Sequence, residues 1–247
     1  MMLKYIICST FLIHSSIAAL PSYFPRCSIN DPKLNDCILK AAEQLQPRIK
    51  DGIRELGIPS FNPFYIPKIE MQQGTDRVNY KVSFTNMSIY GLADYKFSEL
   101  NYIPDELTFS GKGNFNNMSM KTKFDVEGRL LSIPIHGSGN YVTKLGPCTV
   151  LLKTTGKLVE RNGDEYYEPI KAVVDIQVSD YVSNFTGLFE DNPDLKRVFT
   201  QVLDDNANVI LQEVLPAINQ VAEGMSVQLI NAITRSVPYK ELLPPSM

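Results

Sequence analysis

The sequence predicts an α+β fold in which a long C-terminal helix is wrapped by a strongly curved antiparallel sheet. Three observations lead there: an amphipathic helical stripe early in the chain, strand-like alternation from Arg77 to Val178, and a long three-and-four repeat from Asn192 to about Ser236. Side chains share a face every 3.6 residues in a helix and every two in a strand, so each period names its element.

Lys4 precedes an apolar stretch, Tyr5 to Ala19, which falls short of the ~20 residues a membrane-spanning helix needs. Small residues at Ser16, Ala18 and Ala19 suit a signal-peptidase site, and Pro21 and Pro25 follow. Residues 1–18 therefore read as a signal peptide and residues 19–247 as a single domain. With Lys4 removed, the 24 basic side chains fall to 23, against 27 acidic ones. A mildly acidic surface without a basic run excludes nucleic acid as partner. No later segment is long and apolar enough for stable membrane insertion, so the chain reads as a secreted, extracellular monomer.

The first helix is expected to open with Asp31 as N-cap and Pro32 at its first position, then to place Leu34, Ile38, Ala41, Leu45, Ile49, Ile53 and Leu56 on one stripe. It should bend at Pro47 and end near Gly57. Ile58 to Met71, rich in proline, reads as an extended apolar crossing segment without regular structure.

Alternation then sets Val78, Tyr80, Val82 and Phe84 on one face, as it does Met118, Met120, Thr122, Phe124 and Val126, and later Ile170, Ala172, Val174, Ile176 and Val178. Asn162-Gly163 is a hairpin turn, and Gly111, Gly113, Gly137 and Gly139 fall inside strands, where glycine permits strong bending. The last helix starts with Pro193 after Asn192 and carries apolar residues from Leu195 to Ile233, with interruptions at Pro216 and Gly224. At ~1.5 Å per residue the run extends roughly 60 Å, so the sheet must curl around it. Val237 to Lys240, Pro244 and Pro245 read as a terminal tail.

Cys27 and Cys37 flank a turn signal, Asn30-Asp31-Pro32, and read as a disulfide that staples the N-terminal segment to the first helix. Cys148 is left over, either a buried free thiol or one end of an intermolecular bridge. Asn86, Asn117 and Asn184 head acceptor sequons and are expected at outward-facing positions. Strand parity places Asn117 opposite Met118 and Met120, hence toward solvent.

Several strings in this order resemble the takeout and haemolymph juvenile-hormone-binding family of insect secreted carriers. They are the cysteine pair Cys27 and Cys37, GIPSFNPFYIPKIEM (Gly57 to Met71), IPIHGSGNY (Ile133 to Tyr141), the Gly187-Leu188-Phe189 turn, and SVPYKELLP (Ser236 to Pro244). The resemblance implies a tubular lipid-binding fold related to the domains of bactericidal permeability-increasing protein, with an interior apolar tunnel. The family's hormone carriers have a second disulfide; Cys148 has no cysteine after it, which is similar to the takeout branch.

The chemistry points the same way. His136 is the one histidine after residue 18, Ser138 lies only two residues from it on the same strand pattern, and neither a nucleophile elbow nor a metal-ligand set is present. No catalytic residue, metal or cofactor is expected. The expected partner is a small hydrophobic ligand such as a terpenoid hormone, fatty acid, quinone or related lipid. Its expected wall comprises Phe84, Met118, Met120, Phe124, Ile133, Tyr141, Val174, Phe199, Leu203 and Met225, with the Tyr141 hydroxyl as first polar anchor and Tyr80 and Tyr95 behind it. The competing expectation is an extracellular interaction or signalling module whose cavity is filled by its own side chains.

Overall fold

A computed structural model describes residues 20–74, 78–130 and 133–246; the expected signal peptide lies outside the described residues. Helix α1 (Leu34–Asp51) is followed by β1 (Phe64–Gly74), β2 (Val78–Tyr90), β3 (Lys96–Ile103), β4 (Thr108–Phe115), β5 (Met118–Leu130), β6 (Ile133–Leu145), β7 (Cys148–Arg161), β8 (Asp164–Val178) and β9 (Tyr181–Thr186). Helices α2 (Pro193–Asp205), α3 (Ala207–Thr234) and the short α4 (Tyr239–Leu242) complete it.

All strand pairs are antiparallel, and they form two sheets, ordered β1-β2-β5-β6-β9 and β3-β4-β7-β8. The two orders correspond strand by strand: β2 runs on into β3, β5 follows β4, β6 leads to β7, and β8 to β9. One long sheet is thus folded across a single crease through Gly91, Asn116–Asn117, Gly146–Pro147 and Ser179–Asp180. Glycine is required on that line at Gly91. A Cβ on Gly91, at φ +86°, would collide with the Asn117 carbonyl, and one on Gly146 with the Asp180 carboxylate. The Gly146 and Ser179 N–H groups donate across the crease to the carbonyls of Asp180 (3.0 Å) and Pro147 (3.1 Å).

Five expectations are corrected. Helix α1 begins at Leu34, because Asp31 first turns the chain, its Oδ1 accepting from the Lys33 N–H at 2.8 Å. It ends at Asp51, since Gly52 adopts φ +88° and a side chain there would strike Ile58 and Pro59. The proline-rich segment becomes strand β1 from Phe64 onward; Pro67 is accommodated because β1 is an edge strand whose register passes over it. Ile170 is 60% exposed, because a bulge opposite Thr155 and Gly156 turns it outward while Ala172 and Val174 remain buried. The long C-terminal helix breaks at Asn206, where the backbone N–H and the side-chain amide both donate to the Val202 carbonyl; Pro216 lies inside α3 without ending it.

Elsewhere the structure matches the pattern. Asn162 and Gly163, at φ +54° and +82°, make the two-residue hairpin turn between β7 and β8. Asn192 caps α2, its Oδ1 accepting from the Leu195 N–H at 3.0 Å. Cys27 and Cys37 form a disulfide, and Cys148 is a buried free thiol whose pKa burial pushes up. Asn86, Asn117 and Asn184 are all exposed.

Helices cover two sheet edges. Along β8, Asn219 Oδ1 accepts from the Ile176 N–H and Glu223 Oε1 from the Val174 N–H, each at 3.2 Å. Along β3, Asn35 Oδ1 accepts from the Tyr102 N–H at 2.8 Å, while Gln46 Nε2 donates to the Ala93 and Tyr95 carbonyls. Edge groups that burial would leave unpaired thus find partners. The terminal tail is also built in. Val237 is fully buried, Tyr239 and Tyr102 share a hydroxyl contact of 2.7 Å, and the Pro244 carbonyl accepts from the Ile29 N–H.

Candidate ligand-binding site

Helix α3 shows a regular exposure pattern. Asn208, Gln212, Pro216, Gln220, Gly224 and Gln228, one residue in four, are exposed. An i, i+4 row winds slowly around a helix axis, so the wet side of α3 follows an inclined line where the helix crosses the twisted sheet edge. Everything else on α3 is half-buried or buried.

Shielding does not produce close packing. From Val214 to Ile233 none of the apolar residues of α3 is fully buried; Ile218, Val221, Met225 and Leu229 are all half-buried although they lie away from the exposed row. In a solid core such positions lose nearly all their accessible surface. Strand residues on the buried parity behave likewise. Met120 lies between buried Met118 and Thr122, Val150 and Leu152 between buried Cys148 and Thr154, and Ile176 beyond buried Val174; all four are half-buried.

Both ends of this stretch are closed. At the start of α3, Ile210 and Val214 meet a cluster containing Tyr80, Val82, Phe124, Val126, Ile135, Leu188 and Phe199. Its rings touch in series: Phe84 and Tyr141 at 6.3 Å, Tyr141 and Phe185 at 4.4 Å, Phe185 and Phe199 at 6.1 Å, Phe199 and Phe189 at 5.2 Å. At the far end, Ile233 packs with Leu45, Ile53, Leu56, Ile58 and Val237. The residues between Val214 and Ile233 belong to neither cluster, a span of roughly 28 Å at 1.5 Å per residue. The arrangement is a loosely packed apolar flank with a packed stopper at each end.

The ten residues expected to form the wall divide between these regions. Phe84, Phe124, Ile133, Tyr141, Phe199 and Leu203 gather in the aromatic stopper. Met118, Met120, Val174 and Met225 lie outside that cluster, on β5, β8 and α3. Tyr141 lies in the stopper: burial raises its pKa, while the Thr143 and Ser183 hydroxyls beside it act in the other direction. Tyr95 donates to the Ala42 carbonyl at 3.2 Å, and burial pushes its pKa up to about 12. Tyr80 is buried within the stopper, with its pKa raised for the same reason.

Sequence reasoning missed Phe185 and Phe189, which complete the ring series. Phe185 shares the inward parity of Tyr181 and Ser183 on β9, a signal masked by the short strand and its sequon; Phe189 stands at φ +57° in the turn after Gly187. His136 on β6 is exposed opposite Glu127, and Ser138 is in register with Asp125, which places these groups on the outer face of the sheet, away from the aromatic cluster. That face also carries a shallow groove of about 440 Å³ beside Ser83, Thr85, Lys123, Asp125 and Asn140.

The sequence profile of the haemolymph juvenile hormone binding proteins matches residues 6–244. The chain belongs to that family. It is 23% identical over 231 residues to the circadian clock-controlled protein daywake of Drosophila melanogaster, across 90% of this chain and 87% of that protein. It is 21% identical over 218 residues to a candidate beta-carotene-binding protein of Schistocerca gregaria, across 87% of this chain and 86% of that one. Among solved structures it is similar to Takeout 1 of Epiphyas postvittana, with a TM-score of 0.73 at 18% identity, covering 89% of this chain and 99% of the other. The fold is therefore the takeout fold, and the family is one of hydrophobic-ligand binders. No helix among the described residues is long and apolar enough to cross a membrane.

Proposed function

We propose that this protein is a secreted, non-enzymatic carrier that holds a small hydrophobic molecule in the lumen beside α3. The observation that carries the reading is the half-buried apolar flank of α3 between two packed stoppers. Membership of a haemolymph binding family and the Cys27–Cys37 disulfide support an extracellular site of action. The name of the Schistocerca relative supports a nonpolar cargo.

Burial alone supplies the affinity. Enclosing about 400 Å² of ligand surface at ~25 cal/mol per Å² yields on the order of 10 kcal/mol before association costs, enough for micromolar binding without a strong polar contact. The test is organic extraction and mass spectrometry of protein purified without added lipid, with uptake of a nonpolar fluorophore as a second readout. A stoichiometric lipid, or saturable uptake displaced by added lipid, is expected. Absence of both overturns the carrier reading in favour of an interaction module with a closed interior.

A further inference from the structure

Resting on the secretion proposed above, we infer that Asn86, Asn117 and Asn184 carry N-linked glycans that cover the outer face of the five-stranded sheet, each seated over an exposed apolar side chain. Among the described residues three large apolar side chains of that sheet are exposed, Tyr65 (52%), Tyr90 (37%) and Val182 (73%). Register puts them on one face. Tyr65, Ser88, Lys121, Val142 and Asn184 follow one another across β1, β2, β5, β6 and β9, and Tyr90, Ser119, Lys144 and Val182 form the next row. Each of the three has a sequon beside it. The Tyr65 hydroxyl donates to Asn86 Oδ1 at 2.9 Å. Asn117 stands two residues before Ser119, the cross-strand partner of Tyr90, and its carbonyl abuts Gly91. Asn184 follows Val182 by two residues on the exposed parity of β9, about 7 Å along the strand at ~3.4 Å per residue.

The sequons are set for modification. Their central residues turn inward: Met87 and Met118 are buried and Phe185 packs in the aromatic stopper, while each asparagine stays exposed. Transfer joins Nδ2 to the anomeric carbon of a lipid-linked oligosaccharide pyrophosphate. That carbon's bond to the phosphate oxygen breaks, the lipid pyrophosphate leaves with the electron pair, and Nδ2 gives up one proton. Oδ1 takes no part, so the bond from the Tyr65 hydroxyl survives and holds the first sugar beside that ring. An acetamido sugar lays its apolar ring face and methyl group on a tyrosine or valine and turns its hydroxyls to water, which converts an exposed apolar patch into a hydrated one. Strand β9 gains most, because it is a sheet edge and a bulky group on Asn184 obstructs pairing with another chain. The outer face of the four-stranded sheet, where Leu151 and Val173 are exposed, has no sequon and stays bare.

The test uses the full chain expressed in insect cells. Peptide mass spectrometry of protein from the medium reads the occupancy of each asparagine. Hydroxyl-radical footprinting is then compared before and after peptide-N-glycosidase treatment of the folded protein, which keeps folding out of the comparison. Occupancy at Asn86, Asn117 and Asn184 is expected, with oxidation of Tyr65 and Tyr90 rising several-fold on glycan removal while that of Leu151, on the bare face, is unchanged. A secreted protein with any of the three asparagines unmodified, or equal oxidation of Tyr65 and Tyr90 with and without glycans, overturns the cover and leaves the secreted carrier standing. A chain retained inside the cells without glycans overturns secretion, and the cover with it.

Discussion

Helix α3 passes through two regions that use the same residue types differently. At its start, Ile210 and Val214 enter a cluster of interlocking rings in which Phe199 retains 4% of its surface. Along its middle, Ile218, Val221, Met225 and Leu229 look inward yet stay half-exposed. Hydrophobicity alone does not separate the two regions. The difference lies in what stands opposite: aromatic rings brought in by α2 and β9 at the stopper, and in the middle a sheet edge, β8, with which the apolar residues of α3 form no buried cluster among the described residues. Packing density thus divides one helix into a structural end and a binding flank.

The comparison predicts unequal costs for similar truncations. Phe199→Ala should lower the unfolding free energy by about 3–5 kcal/mol, because the ring's neighbours Phe185 and Phe189 cannot collapse into the space. Leu229→Ala should cost less than about 2 kcal/mol, since the side chain is only half-buried, and on the carrier reading should instead weaken ligand retention. Denaturant titration of both variants decides the matter; equal losses would mean that the middle is packed as tightly as the stopper.

A smaller effect concerns how α3 is held. Glu223→Ala removes the acceptor of the Val174 N–H and should cost about 1–3 kcal/mol. Amide exchange at Val174 should accelerate well before that at Ile176, whose acceptor is Asn219. Unchanged exchange at both would show that the helix does not seal this edge. The smallest expected effect is chemical. Burial disfavours the Cys148 thiolate, the reactive form, so a thiol reagent at pH 8 should label Cys148 only after unfolding. Prompt labelling of the native protein would place an opening beside β7.

The periodicities of β2, β5 and α3 made the architecture legible, because each buried face repeats over ten or more residues. What escaped was local. The outward turn of Ile170 depends on a one-residue bulge against β7, which no alternation within β8 reveals. The stop of α1 at Asp51 depends on the backbone around Gly52, and β1 looked irregular because proline is tolerated only where one edge of a strand is free. For the site, aromatic and methionine residues on inward parity were readable as wall material. Their division into stopper and lumen was not, since it is set by which rings meet across α2, β6 and β9. Tyr141 shows the limit well. Its position in the interior was legible, whereas the hydroxyls of Thr143 and Ser183 that stand beside it come from register.

The crease has a mechanical corollary. Four strand paths bend along one line of glycines, asparagines and short corners, with the cross-strand ladders intact on either flank. Altering the dihedral angle between the two flanks would stretch few hydrogen bonds, whereas lengthening the chamber would require α3 to slide along β8 and break the bonds that Glu223 and Asn219 accept from the Val174 and Ile176 N–H groups. Girth is the soft dimension of this vessel and length the stiff one, so guests of one reach and differing bulk should be accommodated more readily than guests of one bulk and differing reach.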